Sequence, residues 1–359
     1  MKTKAADNYS KKIILSVVVV NYNGYKYVVK CIESILKSSF KGSEIVIVDN
    51  GSSDDVRLLK RKFGSIIGKK IKIVSLNKNF GPAYARNEGV RVSNGEYIGF
   101  LDNDTKVDKN WASEAIKIFK SDGKIGAIQC KLLLKNKKRS IDYVGEYIGQ
   151  NGFLVQRAGT GELDNGQYDQ IVEILAAKSA GMFITRKAFA KAGGFDPDYF
   201  IYVEETDLGW RTWLAGFKIV FSPLSVVYHE FGTSTIILGK SKNEYNSKFH
   251  GVKNYILTLI KNLDTPNLLR ILPTHIMLWL GLAWYTLFRG SWNAFIYIHF
   301  GVIWNMIHLR RSLHKRMYVQ TNRKITDSVL LNKIMKKRNI WYFISKVVNR
   351  KKVGNAESF

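Results

Sequence analysis

The chain has 359 residues, 46% of them hydrophobic, with 56 Lys plus Arg against 29 Asp plus Glu and a formal net charge of +27. That apolar content excludes a disordered chain, and the length suits one large domain with an appendage. Such a charge calls for an anionic partner: nucleic acid, an anionic membrane or a phosphorylated substrate. The only cysteines, Cys31 and Cys130, fall in stretches that read as helix or strand, so no disulfide framework is expected. Met1 to Lys12 is polar and basic without a signal-peptide core, which fits a reducing cytoplasmic setting.

Ile13 to Val20 is a continuous aliphatic run, predicting a strand buried on both faces. Asn21-Tyr-Asn-Gly24 breaks it. The spacing of Val28, Cys31, Ile32 and Ile35 then predicts a helix over Tyr25 to Lys37. Glu44 to Val48 reads as the second strand, and Asp49-Asn-Gly-Ser-Ser53 as a loop supplying a helix N-cap. Ile71 to Ser75 is the third strand. Asn79-Phe-Gly-Pro82 opens a helix with Pro82 in its first turn. Gly95 to Leu101 is the fourth strand and runs into Asp102 and Asp104.

Strand alternation directs those two carboxylates to one side of the sheet end. There they can hold a hard divalent cation that bridges to substrate phosphates, although two such acids by themselves mark only a solvated turn. Strands separated by helices predict an α/β fold with a parallel sheet covered on both faces. Ligands of such sheets sit at the carboxyl ends of the strands, where Asn21, Asp49, Asn79 and Asp102 all fall.

From about Ile125 to Val227 short strands alternate with turns, and little is legible between Lys131 and Ile174. Glu204 to Ala215 reads as a helix. From Glu244 the character turns helical. Ile271 to Phe288 and Gly290 to Leu309 carry no Asp, Glu, Lys or Arg, and a basic stretch from Arg310 to Arg338 follows. The first apolar run is about long enough to cross a bilayer; in a spanning hairpin Arg270 and the Arg310 cluster would sit on the near side, as the positive-inside rule requires, with Arg289 on the far side. An interfacial hairpin or an ordinary helical subdomain are the rival readings. Basic residues beside it suit an anionic leaflet.

Six motifs occur in order: SVVVVNYNG (Ser16 to Gly24), IVDNGSSDD (Ile47 to Asp55), NFGPAYARNEG (Asn79 to Gly89), FLDND (Phe100 to Asp104), GMFITR (Gly181 to Arg186) and GGFDPDYFIYVEETDLGWR (Gly193 to Arg211). In this order the chain resembles family 2 glycosyltransferases, in particular their rhamnosyltransferase-like branch. The resemblance covers roughly Ile13 to Thr235. It implies a GT-A fold, a mostly parallel sheet flanked by helices, with a C-terminal helical, membrane-associated region.

The resemblance implies roles residue by residue. Asp102 and Asp104 match the acidic pair that binds Mg²⁺ or Mn²⁺ on a nucleoside diphosphate, with Asp104 the direct ligand and Asp102 reaching ribose or a metal-bound water. Asp49 suits a base or ribose contact, or merely caps its helix. Asn21 and Asn79 share that rim. Arg86 suits a diphosphate, or a surface pair with Glu88. Glu204-Glu205 stands where relatives carry Glu-Asp, placing Glu205 as general base with Glu204 the alternative; an ionised acid is favoured at a helix N-terminus. Asp207 and Arg211 are spaced for an i,i+4 pair. Trp210 and Trp213 could stack on a sugar, though core packing is the commoner fate. His229, with Gly232 and Ser234, matches an H-x-x-G-x-S pattern and is a candidate third metal ligand.

The expected divisions are a basic N-terminal tail (1–12), a catalytic domain (13–240, its halves meeting near 130), a helical hairpin (241–320) and a basic tail (321–359). The implied activity is inverting sugar transfer from a UDP- or dTDP-type donor to a lipid-linked or glycan acceptor. It would take place at the cytoplasmic face of an anionic membrane. A nucleotidyltransferase would share the sheet and acids but calls for a Gly-rich basic loop after the first strand, which Asn21 to Gly24 is not. A nucleic-acid binder would explain the charge, yet no recognition module for RNA or DNA is present, so no nucleic-acid partner is expected.

Overall fold

A computed structural model describes residues 13–53, 55–137, 139–230, 239–338 and 342–343. The N-terminal tail, Gly232 and Ser234 of the histidine motif, and most of the final twenty residues lie outside the described residues.

Nine strands and six helices build the first two-thirds around one sheet: β1 (Leu15–Asn21), α1 (Tyr25–Lys37), β2 (Ser43–Asp49), α2 (Asp55–Phe63), β3 (Ile71–Ser75), α3 (Pro82–Arg91), β4 (Tyr97–Asp102), β5 (Thr105–Val107), α4 (Trp111–Ser121), β6 (Ile125–Leu134), β7 (Ile141–Tyr143), β8 (Val172–Glu173), β9 (Met182–Thr185), α5 (Arg186–Ala192) and α6 (Glu204–Leu214). The long strand β10 (Lys218–His229) completes it. The strand order is β8-β10-β6-β9-β4-β1-β2-β3, with β5 on β10 and β7 on β6. β3, β2, β1 and β4 are mutually parallel, β9 is antiparallel to both β4 and β6, and β6 and β10 are parallel. The sheet is thus mostly parallel, as expected, with one reversed strand in its middle.

The β-branched runs of β1 and β2 are buried on both faces because helices cover both. α1 buries Val28, Cys31, Ile32 and Ile35, the apolar stripe seen in its spacing. α5 is fixed at both ends: the Thr185 side chain accepts from the Ala188 amide, and Gly193 leaves the helix at φ 81°.

The last third is a helical module. α7 (Lys240–Tyr245) runs through a π-helical turn, Asn246–His250, into α8 (Gly251–Asn262). Every residue of α8 is buried, packed among α9 (Thr265–Phe288), α10 (Trp292–Ile307) and α11 (Leu309–Asn322). α8 also touches α6 of the catalytic domain. Arg316 and Gln320 of α11 donate to the free carbonyls at the C-terminal end of α8, Ile260 O at 2.6 Å and Lys261 O at 2.9 Å among them.

The stretch expected as a tail from 321 is folded as far as Lys336. α12 (Asp327–Ile334) buries Leu330, Leu331 and Ile334, and Met335–Lys336 pairs with the strand Glu146–Gly149. The basic residues conceal this apolar side in the composition.

α9 and α10 separate at Gly290, as the two apolar runs predict. By length and composition, α9 is the one helix among the described residues able to cross a membrane, yet it buries Ile271, His275, Trp279 and Ala283 inside the module.

Candidate active site

The register of the sheet assembles the site. Asn21 lies level with Asp49, Asp49 with Ser75, and Val20 with Asp102, so the ends of β1, β2, β3 and β4 form one rim. Asn21 is fully buried there. Its amide nitrogen donates to Asp49 at 3.1 Å and Asp55 at 2.7 Å, and its oxygen accepts from Asn103 at 2.9 Å. It ties three loops together beneath the rim.

Asp49 accepts that bond on one oxygen and the Ser52 amide, at 3.0 Å, on the other. It therefore holds the Gly-Ser loop, and since α2 begins only at Asp55 this bond does not cap the helix. Asn79 accepts from the Asn50 side chain at 3.0 Å and the Gly81 amide at 2.9 Å, shaping the turn into α3.

β4 stops at Asp102, so Asp104 stands in the following turn and strand alternation does not bring the two acids together. The turn does, and β5 completes the placement. Thr105 pairs with His229 across β5 and β10, and the Glu230 amide donates to Asp104 O at 3.1 Å. Ligand atoms of Asp102, Asp104 and His229 all lie within 4.8 Å of one another.

Nε2 of His229 is 3.3 Å from Asp104 Oδ1, and Nδ1 is 2.8 Å from Asp142 Oδ2. Burial disfavours the His229 cation, but Asp104 and Asp142 on its two nitrogens outweigh burial and raise its pKa well above the ordinary value. Asp104 Oδ1 is buried and, among the described residues, only that 3.3 Å contact with His229 reaches it. Two carboxylates and an imidazole with a carboxylate behind it form a donor set that fits Mg²⁺ or Mn²⁺, and Asp104 Oδ1, which meets only the His229 ring among the described residues, keeps lone pairs that such an ion would take.

Arg86, on α3, faces inward. Its Nη1 donates to Glu204 at 2.7 Å, its Nη2 lies 3.2 Å from Asp102 and 3.8 Å from Glu205, and its side chain is 6% exposed. Burial opposes its charge, yet Asp102, Glu205 and Glu204 together raise its pKa. It joins the metal-type acids to α6. Glu88 pairs instead with Arg91.

The two glutamates that open α6 differ. Glu204 is buried, spends one oxygen on Arg86 and, among the described residues, has no hydrogen-bond partner on the other. Burial, and then Glu205, push its pKa up to about 7. The Glu205 side chain is 20% exposed and accepts from the backbone and hydroxyl of Ser179, the backbone bond at 2.8 Å. Asp207 and Arg211 form the expected pair, joined by Lys261. Trp210 and Trp213 are core residues, and Trp213 donates to Ile174 O at 2.9 Å.

Sequence reasoning missed Asp142, Ser179 and Glu146, the last accepting from Thr206 at 2.7 Å beneath α6. Asp142 and Glu146 lie in the stretch where little was legible. The small residues before Gly181 were the only signal for Ser179.

The family described as "Glycosyl transferase family 2" matches residues 16–177, and "Glycosyl transferase family group 2" matches residues 97–310. The chain is 37% identical over 97 residues to "Glycosyltransferase GlyG" of Streptococcus pneumoniae, covering 27% of this chain and 32% of that protein. It is 26% identical over 211 residues to "Poly-beta-1,6-N-acetyl-D-glucosamine synthase" of Staphylococcus aureus, covering 58% of this chain and 47% of the relative. The chain thus spans half or less of the length of these curated relatives. Among solved structures it resembles GalNAc-T7 with UDP, GalNAc and Mn²⁺ (TM-score 0.56, 18% identity, 71% of this chain and 49% of that one). It also resembles the mannosyltransferase PcManGT of Pyrobaculum calidifontis in complex with GDP-Man and Mn²⁺ (TM-score 0.53, 16% identity, 87% and 86%). At these identities the likeness concerns the fold, and it bears out the GT-A expectation.

Proposed function

The chain belongs to the family 2 glycosyltransferases, and from that premise we propose that it transfers a sugar, with inversion, from a UDP- or dTDP-type nucleoside-diphosphate donor to a lipid-linked or growing glycan acceptor. Its motif order favours the rhamnosyltransferase-like branch. The observation that carries the reading is the convergence of Asp102, Asp104 and His229, linked through Arg86 to a partly exposed Glu205.

Asp104, Asp102 and His229 would hold Mg²⁺ or Mn²⁺, which when bound neutralises charge on the departing diphosphate. Asp142 keeps the His229 ring turned towards Asp104. The Asp49 loop and the Asn79 turn line the strand ends where a nucleotide's base and ribose fit. Arg86 holds Asp102 and the start of α6 on one rigid cation.

Glu205, anchored by Ser179, takes the proton from the acceptor hydroxyl. The hydroxyl oxygen bonds to the anomeric carbon on the face opposite the diphosphate. The bond to the diphosphate oxygen breaks, and the nucleoside diphosphate carries the electron pair away through an oxocarbenium-like transition state. Glu204 is buried against Arg86 and serves to position, not to abstract.

The acceptor and setting rest on the helical module. Met277, Trp284, Phe288, Trp292, Met306 and Ile307 are exposed on α9 and α10, and large apolar side chains gathered on one surface mark a membrane or partner contact. Arg310 and Arg311 follow directly on α11. We place this face in the cytoplasmic leaflet, lying in the interface, since α9 and α10 bury their opposite sides on α8.

The test is a panel of UDP- and dTDP-sugars with the full-length protein, reading nucleoside diphosphate release with Mn²⁺ and with EDTA. Release that needs the metal supports the reading. Release undiminished by EDTA would remove the metal from it, and silence across the panel would remove the donor class.

A further inference from the structure

The loop that feeds α6 follows an unusual course. Phe200 (φ 59°), Tyr202 (φ 69°) and Val203 (φ 65°) all hold positive φ, Val203 in the left-handed helical region and Phe200 in a γ-turn closed by the Ile201 amide on Tyr199 O. None is glycine, and for a β-branched residue such as Val203 this region is sterically costly. Backbone of this kind persists only where the surroundings over-determine it. Val203 immediately precedes Glu204 and Glu205.

One side chain supplies most of that determination. Nδ2 of Asn254, on α8, donates to the carbonyls of Tyr199 at 2.9 Å, Ile201 at 2.8 Å and Tyr202 at 2.7 Å. Asn254 is fully buried and its Oδ1 has no hydrogen-bond partner among the described residues. Two amide hydrogens thus serve three carbonyls, and a carboxylate or an apolar group of the same shape could serve none.

Neighbouring contacts act in the same sense. His250, in the π-helical turn, stacks on Phe200 at 5.1 Å. Lys253 donates to Asp198 O at 2.5 Å. From the opposite side Gly81, at φ 84°, presses so close that a Cβ there would lie 2.6 Å from Phe200 O. The loop is therefore held between the turn that opens α3 and the helical module.

We propose that Asn254 is a positioning residue for sugar transfer: it holds loop 199–203 in its positive-φ course so that α6 starts with Glu205 against Ser179 and aimed at the acceptor. This rests on the reading of Glu205 as the base. It makes α8 part of the catalytic arrangement as well as the centre of the module.

The experiment uses full-length Asn254→Ala and Asn254→Asp, measuring donor affinity with Mn²⁺, kcat for transfer and Tm. The expected result is a kcat lower by about tenfold to a hundredfold, the usual effect of a misplaced catalytic group, with donor affinity within about twofold on the same positioning argument. Val203→Gly, which accepts the left-handed course without a Cβ clash, should restore part of the rate to Asn254→Ala. In a Glu205→Gln background Asn254→Ala should cost nothing further. Asn254→Ser keeps one donor, gives an intermediate loss, and serves where the alanine variant does not fold. Wild-type kcat in a folded Asn254→Ala, or the same fractional loss with and without Glu205, would overturn the clamp. Wild-type transfer by Glu205→Gln would instead overturn the base assignment on which the clamp's purpose rests.

Discussion

Nδ1 of His229 lies 2.8 Å from Oδ2 of Asp142, although 87 residues separate them in the chain. β7 reaches His229 across the end of β6, and the pairing turns Nε2 towards Asp104. A carboxylate behind a ligating imidazole fixes its orientation and raises its basicity.

Asp142→Ala should therefore weaken Mn²⁺ affinity of the donor-bound protein by about tenfold to a hundredfold, the usual cost of losing such a partner. Asp104→Ala should abolish metal-dependent donor binding altogether. Calorimetric titration of Mn²⁺ in the presence of donor checks both, and an unchanged affinity in Asp142→Ala would contradict the role given to it.

A pH dependence follows from His250. Burial, and then Lys253, lower its pKa from 6.5 to about 3. Below pH 6.5 the unfolded chain binds a proton that the folded chain refuses, so His250 favours folding above pH 6.5 and loses that contribution as pH falls towards 3. The slope approaches about 1.4 kcal/mol per pH unit for one full proton. His250→Phe keeps a ring on Phe200 and should flatten the wild-type stability profile between pH 6 and 4, roughly the window this linkage spans. Denaturant titrations at stepped pH provide the check.

Lys261 joins Asp196 and Asp207 at 2.8 and 2.9 Å with 2% of its side chain exposed. It bridges the loop before α6 to α8. Lys261→Met leaves buried carboxylates short of a cation and should cost about 3–5 kcal/mol of stability, seen as a large fall in Tm.

Replacing Trp284, Phe288, Trp292 and Met306 together by Ser should release the protein from vesicles containing anionic lipid while leaving donor binding intact. Cosedimentation reads this directly. Binding that survives the change but disappears in high salt would leave only the basic residues as the anchor.

The acids of the site were legible because their chemistry is local: Asp102 ends a strand with Asp104 in the turn just after it, and Glu204 and Glu205 open a helix. Asp142 was not, because its neighbourhood is created by sheet pairing between distant segments. Arg86 was visible as a rim cation, but its inward turn towards Glu204 depends on α3 and α6 meeting, which no spacing in either helix encodes. The folded stretch Asp327–Lys336 was hidden by its charge.

The proposed division of labour makes Glu205 the base of a sugar-transfer site and Glu204 its buried support. Single-turnover transfer by Glu205→Gln and Glu204→Gln tests it most directly, with donor affinity measured alongside. Glu205→Gln should bind donor normally and transfer about a hundredfold or more slowly, the worth of a positioned base, while Glu204→Gln loses less and Glu205→Asp keeps part of the rate. A Glu205→Gln enzyme that transfers at the wild-type rate would contradict it.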